Sequence, residues 1–243
     1  MIVLLIYFLL VLLLIIYYTK RTVYFVTFAD SRYLKSLNNI CSQAKEISDR
    51  QFCFTEQNLN LSDYKEFIKQ NKRGYGYWIW KPIAILECLK NMRYCDYLIY
   101  ADAGCSIIPE RKNVLYDKLK DLELNPILGF QSGHIEKKFS KKDTINRLYS
   151  ENCEITEQMM ATVIFMKKTE DSLKFVNEWL NICKESDYHH LNDSPSIDTN
   201  YNEFIEHRHD QSIFSLLHKS KSYTYHSYEE FRKGAIIDSR NLT

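Results

Sequence analysis

Short apolar runs alternate with stretches of helical periodicity along most of this chain, and that alternation restricts the possible folds more than any other feature. The strand-like runs lie at residues 22–28, 51–56, 95–101, 127–130 and 161–167. Between them apolar residues recur at helical spacing, and Thr169 and Asp210 are the predicted N-caps of two helices. Strands separated by helices form parallel sheets that are buried on both faces. The pattern therefore predicts an α/β fold: a single domain over residues 22–243 whose mostly parallel central sheet is covered by helices.

The N-terminal segment differs from the rest of the chain. Residues 2–18 carry no charge, and the first charged side chains are Lys20 and Arg21. A helix of about 18 residues spans about 27 Å, which is enough to cross a thin bilayer. No cleavage site of small residues follows the apolar run, which disfavours a signal peptide. We expect residues 1–19 to form an uncleaved, single-pass transmembrane signal-anchor, with the lipid bilayer as a partner.

The side of the membrane on which the domain lies is left open by the sequence. The positive-inside rule places Lys20 and Arg21 in the cytoplasm, together with the domain that follows. Seven cysteines, an odd number, favour a reducing compartment. Three N-glycosylation sequons, at Asn60, Asn192 and Asn241, point the other way.

The charge balance and the missing motifs exclude several functional classes. The chain has 32 Lys and Arg residues against 31 Asp and Glu residues. A protein that binds nucleic acid through counterion release normally has a basic excess, so we expect no nucleic-acid partner. The first strand is not followed by G-x-G-x-x-G, and no P-loop, G-x-S-x-G or C-x-x-C sequence occurs. These absences disfavour dehydrogenases, P-loop kinases, serine hydrolases and structural zinc sites.

The strand at residues 95–101 ends in the most informative segment for chemistry. Asp102 follows the strand directly, and Gly104 allows the backbone to turn sharply or to approach a ligand closely. Ligands of α/β sheets bind at the carboxyl ends of the strands, where a carboxylate is able to hold a divalent metal. The alternative interpretation of Asp102 is an aspartate that only caps the turn.

Residues 72–82 combine two glycines, two tryptophans and three cations. Aromatic planes such as Tyr77 and Trp80 are able to stack on a base or a sugar, and Arg73 and Lys81 are able to contact phosphate. Pro82 fits the first turn of a helix, whose N-terminus attracts anions. The alternative is an aromatic core cluster crossed by the aliphatic stems of the cations.

Residues 203–212 place several hydrogen-bonding side chains directly before a predicted helix. Asp210 is a candidate catalytic residue as well as a candidate N-cap, and the two roles are compatible. The segment lacks a partner at metal-ligand spacing, although His226 is a candidate to approach it.

The three segments RGYGYWIWKP, DYLIYADAGC and HRHDQSIFSLL resemble, in the same order, those of small glycosyltransferases with the nucleotide-diphospho-sugar transferase (GT-A) fold. The resemblance implies that Asp102 occupies the first acidic position of the D-x-D motif, which holds a divalent metal, Mn or Mg, on the donor diphosphate. The second acidic position falls on Gly104, so this chain departs from the motif. One carboxylate is then missing from the metal site, which leaves two alternatives: another group completes the site, with Asp210 and His226 as candidates, or the metal is held weakly and is not required.

The resemblance also assigns the remaining site residues. It implies that Thr27, Phe28 and Ala29 hold the nucleotide base at the end of the first strand. Residues 157–162 are expected to face the acceptor and the reacting sugar. The other expected nucleotide-sugar-binding residues are Arg73, Tyr77, Trp80, Lys81, Asp102 and Gln211.

These expectations combine into one functional hypothesis. The chain is expected to be a membrane-anchored glycosyltransferase that moves a sugar from a nucleotide-diphosphate donor to a hydroxyl of a glycan, protein or lipid. Asp210 is the expected general base, and the metal at Asp102, with Lys81 or Arg73, is expected to stabilise the departing diphosphate. A first alternative is a membrane-tethered nucleotide-sugar-binding module without turnover, which Gly104 favours. A second is a nucleotidyltransferase, although residues 28–32 are not the Gly-rich loop that such enzymes usually carry.

Overall fold

The computed structural model describes Tyr7 and residues 21–239. The anchor predicted at residues 1–19 lies, apart from Tyr7, outside the described residues. Among the described residues, no helix combines the length and the apolar character that crossing a bilayer requires. The boundary of the domain at residue 22 stays a prediction.

Nine strands and nine helices follow one another along residues 21–239. The strands are β1 (Val23–Phe28), β2 (Arg50–Phe54), β3 (Tyr97–Ala101), β4 (Cys105–Ile107), β5 (Ile127–Ile135), β6 (Glu157–Met159), β7 (Val163–Lys167), β8 (Tyr225–His226) and β9 (Ile236–Asp238). The helices are α1 (Leu34–Ala44), α2 (Lys65–Gln70), α3 (Trp80–Lys90), α4 (Lys112–Lys120), α5 (Glu136–Phe139), α6 (Lys142–Arg147), α7 (Glu170–Tyr188), α8 (His209–Ser220) and α9 (Tyr228–Arg232). A further single turn at Gly74–Tyr77 is left-handed in its backbone and is described with the site.

Seven of the strands form one central sheet in the order β2-β1-β3-β7-β5-β6, with β8 paired to β5. The α/β class predicted from the sequence is confirmed. The predicted parallel pairing holds where β1 lies between β2 and β3. In the other half, β7 is antiparallel to β3 and β5, and β6 is antiparallel to β5, so this half is mixed. The sequence missed this because an apolar run shows that a strand is buried but not which way it runs.

The sheet is covered on both faces, as the sequence predicted. Side chains of β1 alternate between two hydrophobic cores: Tyr24, Val26 and Phe28 enter one, and Val23 and Phe25 enter the other. Helices α3, α7 and α8 cover the first face, and α1 and α4 cover the second. The core on each face therefore includes side chains of β1 and β3.

A disulfide joins α1 to β2 on the second face of the sheet. Cys41 and Cys53 are bonded, with their Cα atoms 6.4 Å apart. The other described cysteines, which are Cys88, Cys95, Cys105, Cys153 and Cys183, are free thiols. The odd number of cysteines therefore includes one bonded pair, although the count favoured a reducing compartment.

Of the two predicted N-caps, one is confirmed and the other is wrong. Thr169 caps α7: its side chain accepts the backbone N–H of Ser172, and the Ser172 hydroxyl oxygen accepts the N–H of Thr169. Asp210 instead lies inside the first turn of α8, which begins at His209. Its carboxylate turns towards Lys81, because a buried ammonium attracts it more strongly than backbone amides do.

The cap of α7 gives a direct test of this part of the fold. Thr169→Ala removes the oxygen that accepts the Ser172 N–H, so the free energy of unfolding is expected to fall by about 1 kcal/mol. Thr169→Ser keeps the oxygen and is the matched control, which should retain most of the stability. Urea denaturation of both variants measures the difference, and equal loss in the two would contradict the cap.

Candidate active site

The carboxyl ends of β1 and β3 and the start of β7 meet at one edge of the sheet. β1 and β3 are parallel, so Ala29 and Asp102, which follow them, emerge on the same side. β7 is antiparallel to β3, and Ala101 pairs with Val163, so Thr162 lies beside Asp102. The Asp102 N–H donates to the Thr162 carbonyl over 2.9 Å. Segments distant in the sequence are thereby brought together around Asp102.

A buried ammonium lies at the centre of this edge. Lys81 Nζ is 2.6 Å from Asp210 Oδ2 and 3.3 Å from Asp102 Oδ1, and it donates to the Ala161 carbonyl over 3.0 Å. The exposed fractions of Lys81, Asp102 and Asp210 are 3%, 9% and 4%. We refer to Lys81, Asp102 and Asp210 as the buried trio. Because these charges are withdrawn from water, displacing any one of them leaves an uncompensated buried charge and destabilises the fold.

The buried trio carries one positive and two negative charges when all three groups are ionised. Burial disfavours the ammonium, but the carboxylates of Asp102 and Asp210 outweigh it and raise the pKa of Lys81. Burial raises the pKa of Asp210 to about 6, against the opposing effect of Lys81. The two shifts are compatible because Lys81 compensates only one carboxylate. Burial, with a smaller contribution from the Asp102 charge, therefore makes Asp210 easy to protonate.

Asp102 is held by a second buried donor. The Tyr100 hydroxyl donates to Asp102 Oδ1 over 2.5 Å from within β3. Burial and the nearby Asp102 carboxylate raise the pKa of Tyr100 well above its ordinary value, so the phenol keeps its proton. The Asp102 carboxylate is thus fixed in position from the strand that precedes it.

The larger of the cavities at this edge has a volume of about 860 Å³. Its wall includes aromatic side chains from two parts of the chain, namely Phe28, Tyr75, Trp78 and Trp80. The rings of Phe28 and Trp80 stack with their centroids 4.3 Å apart. Asp102 and Gly104 also line this cavity. A volume of this size and an aromatic wall are typical of sites for nucleotide-sized ligands.

A left-handed turn shapes the aromatic wall. Every residue from Gly74 to Trp78 has a positive φ, including Tyr75 at 54° and Trp78 at 62°. The Trp78 ring lies where a Cβ on Gly74 would be, at 2.4 Å, so residue 74 must be glycine. The Trp80 indole donates to the Gly74 carbonyl over 2.9 Å. These contacts turn Tyr75 and Trp78 towards the cavity.

A smaller cavity of about 370 Å³ adjoins the larger one. All members of the buried trio line it, together with Gln211. Arg73, Trp78 and Asp102 line both cavities and mark their junction. The arrangement allows a long ligand to extend from the aromatic wall to the carboxylates, where a second molecule is able to approach it.

A buried polar network holds Gln211 in place. The Ala161 N–H donates to Gln211 Oε1 over 3.3 Å, and Gln211 Nε2 donates to Gln158 Oε1 over 2.9 Å. Gln158 Nε2 in turn donates to Glu136 Oε1 over 3.0 Å. Glu136 is fully buried and also accepts hydrogen bonds from the side chains of Ser140, Ser215 and Lys219. Gln158 lies within residues 157–162, which are expected from the sequence to face the acceptor and the reacting sugar, whereas Glu136 lies in no recognisable motif.

Most of the expected site residues line the two cavities. These are Phe28, Ala29, Arg73, Trp80, Lys81, Asp102, Asp210 and Gln211. Lys81 differs from the expectation in one respect: it contacts carboxylates and a carbonyl and is not presented to a ligand as an isolated cation. Gly74 and Tyr75 lie in the segment that the sequence singled out, although neither is among the expected binding residues.

Three expected site residues lie elsewhere. Thr27 is fully buried within β1, because the alternation along a strand sends it to the face opposite Phe28. Tyr77 packs its ring against His209, with the centroids 4.6 Å apart, because the left-handed turn directs Tyr75 towards the cavity instead. His226 lies 2.8 Å from both Asp121 and Glu230 and lines neither cavity, since these carboxylates and the Phe130 ring hold its imidazole.

The residues of this site do not fit the divalent metal that the resemblance implies. A metal held between Asp102 and Asp210 would face the Lys81 ammonium, which already contacts both carboxylates. Gly104 offers no side-chain ligand. Within residues 21–239 no three His, Cys, Asp or Glu side chains converge closely enough to hold a metal ion.

Comparison with solved structures gives matches with glycosyltransferases, the class that the three sequence motifs resemble. A glycosyltransferase involved in glycosylation of the major capsid of PBCV-1 matches with a TM-score of 0.47 and 9% identity, over 89% of this chain and 93% of that one. Mouse xyloside xylosyltransferase 1 matches with a TM-score of 0.43 and 10% identity, over 84% of each chain. The galactosyltransferase LgtC, solved with donor and acceptor sugar analogues, matches with a TM-score of 0.39 and 16% identity, over 80% of this chain and 70% of that one. No protein-family model matches the chain. No curated protein matches it.

The charges of the buried trio predict a pH-dependent loss of stability in Lys81→Met. Without the ammonium the pKa of Asp210 in the folded protein rises further above its unfolded value of about 3.9. The protonated Asp210 side chain then stabilises the fold, and this contribution is lost as pH rises through the folded pKa. We expect the free energy of unfolding to fall by about 3–5 kcal/mol at pH 8 and by less at pH 5.

Lys168→Met is the matched control for this comparison. Lys168 is also buried, but its ammonium donates to the Met92 carbonyl rather than to a carboxylate pair. Its loss of stability should be similar at the two pH values. Urea denaturation measures both variants, and a pH-independent loss in Lys81→Met would contradict the charge assignment.

Proposed function

We propose that this chain is a glycosyltransferase that moves a sugar from a nucleoside-diphosphate donor to the hydroxyl of a glycan, protein or lipid acceptor. The observation that carries the proposal is the junction of two cavities at Arg73, Trp78 and Asp102, beside the buried Asp210. One cavity has the size and the aromatic wall that a nucleotide requires. The other contains a carboxylate with a raised pKa. The uncharged residues 2–18 support a membrane-anchored form of this enzyme.

The arrangement supports a specific division of the ligands. The nucleoside lies against Phe28, Tyr75 and Trp80, and the diphosphate lies at the junction of the cavities. The sugar then lies beside Asp102, whose carboxylate is a hydrogen-bond acceptor for hydroxyls. The acceptor enters the smaller cavity next to Asp210.

Asp210 is the residue best suited to receive the acceptor proton. A general base works best when its pKa lies near the working pH, and burial raises the pKa of Asp210 to about 6. At neutral pH the group is mostly ionised and still basic enough to take a proton. Gln211, fixed by Gln158, lies next to it and offers an amide for orienting the sugar.

A binding module without turnover is the second candidate, because Gly104 replaces an acidic residue of the motif. The observation that favours the enzyme over it is the buried Asp210, since a module that only binds has no need of a carboxylate with a raised pKa beside its ligand. A nucleotidyltransferase is less well supported, because residues 28–32 lack glycine.

Asp102→Asn separates the enzyme from the binding module. The change keeps the size of the side chain and leaves Lys81 paired with Asp210, so folding is expected to persist. Transfer of sugar from nucleotide-sugar donors should fall at least tenfold, which corresponds to about 1.4 kcal/mol of transition-state stabilisation.

Asp121→Asn is the matched control, since Asp121 pairs with His226 and lines neither cavity. Its transfer rate should equal that of the wild type. If Asp102→Asn also keeps the wild-type rate while both proteins bind nucleotide sugar, the binding module is the better interpretation.

The pH dependence of transfer tests the role of Asp210. Because only the carboxylate form accepts a proton, kcat/KM should fall as pH decreases through about 6. The Asp102 charge contributes to raising the pKa of Asp210. In Asp102→Asn, the fall of the residual activity with decreasing pH should therefore be shifted to lower pH. An acid limb that stays at the same pH in this variant would assign the ionisation to another group.

A further inference from the structure

The charge of the donor diphosphate needs a positive partner that the buried trio does not supply. Lys81 lies between two carboxylates, so the buried trio carries a net charge of −1 when fully ionised. A diphosphate placed beside it would be repelled. This inference rests on the proposed function, because it concerns how the same site holds the donor.

A divalent cation at Asp102 is poorly suited to this task. Oδ1 of Asp102 accepts from the Tyr100 hydroxyl and lies 3.3 Å from the Lys81 ammonium. A metal bound there would be repelled by that ammonium, and Gly104 contributes no second carboxylate. The charge therefore has to come from side chains of the cavity wall.

Arg32, Lys72 and Arg73 are the cations on the wall of the larger cavity, as far as residues 21–239 are concerned. The Arg32 guanidinium forms two bonds with Asp30, at 2.9 and 2.7 Å, so its charge is compensated within the wall. Lys72 is exposed, and 48% of the Arg73 side chain is exposed. Of the cations on the wall of the larger cavity, Lys72 and Arg73 are thus the two that are accessible to a ligand.

Arg73 is held only loosely by its present partners. Its guanidinium lies 3.3 Å from Asp193 and 3.3 Å from Glu206, and both carboxylates are more than 40% exposed. Exposed pairs of this kind contribute little stability, so a doubly charged ligand competes with them readily. A guanidinium also matches two phosphate oxygens at once.

The position of Arg73 agrees with the position that a diphosphate would take. Arg73 lines both cavities, and the diphosphate of a nucleotide sugar links the nucleoside in one to the sugar in the other. Lys72 and Arg73 directly precede the left-handed turn, which Trp78 and Trp80 hold against Gly74. Their backbone is therefore anchored at the cavity wall.

We propose that Lys72 and Arg73 take the place of a divalent metal and neutralise the donor diphosphate of this chain. In the transfer step the bond between the anomeric carbon and the diphosphate oxygen breaks, and its electron pair stays on that oxygen beside the two cations. The acceptor oxygen forms the new bond to the anomeric carbon, and its proton passes to Asp210. The products are the glycoside and the nucleoside diphosphate, and no metal takes part.

Binding of nucleoside diphosphates to the full chain tests the proposal without relying on turnover. UDP, GDP, CDP and dTDP are titrated by calorimetry, once with excess EDTA and once with Mn²⁺. For the diphosphate that binds, the affinity should agree within about threefold between the two conditions and should weaken as salt increases. An affinity that drops more than tenfold in EDTA and returns with Mn²⁺ would overturn the proposal.

Variants identify the cations. Lys72→Ala and Arg73→Ala should each weaken binding of the nucleoside diphosphate at least tenfold, and Arg73→Lys should recover part of the loss. Lys112→Ala, an exposed lysine on α4 outside both cavities, is the matched control and should bind normally. Metal-independent binding that neither Lys72→Ala nor Arg73→Ala weakens would overturn the assignment to these residues.

Two further outcomes separate this inference from the proposed function. If Mn²⁺ alone binds the protein tightly and Asp102→Asn abolishes that binding, a metal site exists and the inference is wrong, while the proposed function stands. If none of the four diphosphates binds with or without Mn²⁺, the proposed function is wrong and the inference falls with it.

Discussion

The ammonium of Lys81 is buried between two carboxylates, and the geometry of the whole site depends on it. Through this one group the first turn of α3 meets the end of β3 and the first turn of α8. A buried charge that loses a partner is costly, so each of these elements is held where the charge remains compensated. The same contact explains why Asp210 does not cap its helix, and it opposes the burial that raises the pKa of Asp210 to about 6. Lys81 therefore fixes the position of Asp210 and limits the rise of its pKa.

A second polar network, centred on Glu136, positions side chains of the site from behind the sheet edge. Glu136 is fully buried and neutralised by Lys219, with hydroxyls of Ser140 and Ser215 on its oxygens. Gln158 connects it to Gln211. Because every member of such a network restricts the next, Gln211 reaches the smaller cavity with its amide already oriented. The site is supported by charged and amide groups behind it as well as by apolar packing.

The sequence predicted the positions of strands and helices better than it predicted the directions in which the strands run. The strands around residues 22–28 and 95–101 and the Thr169 cap were recognisable because burial and capping leave a local pattern. The antiparallel course of β7 leaves none, since strand direction depends on distant partners. Asp102 and Lys81 were found from their motifs, but their direct contact was not, because it spans elements far apart in the chain.

The positions of the expected residues that line neither cavity have equally physical causes. Thr27 and Phe28 are neighbours on a strand and face opposite sides, so Phe28 alone of the two lines the larger cavity. The left-handed turn reverses the directions that ordinary helical spacing suggests, so Tyr75 rather than Tyr77 lines that cavity. Glu136 had no signal in the sequence at all, since a buried glutamate looks like any surface glutamate until its partners are known.

The left-handed turn ties stability to function. Tyr75 and Trp78 hold a backbone conformation that costs side-chain-bearing residues about 1–2 kcal/mol each. Glycine at either position would relieve that cost, but it would also remove a ring that packs against the first hydrophobic core. The same substitutions would strip the cavity wall of the surfaces that face a ligand. The rings that offset the strain of the turn are therefore also the rings that face the cavity, so a mutation here cannot weaken ligand recognition without also weakening the fold.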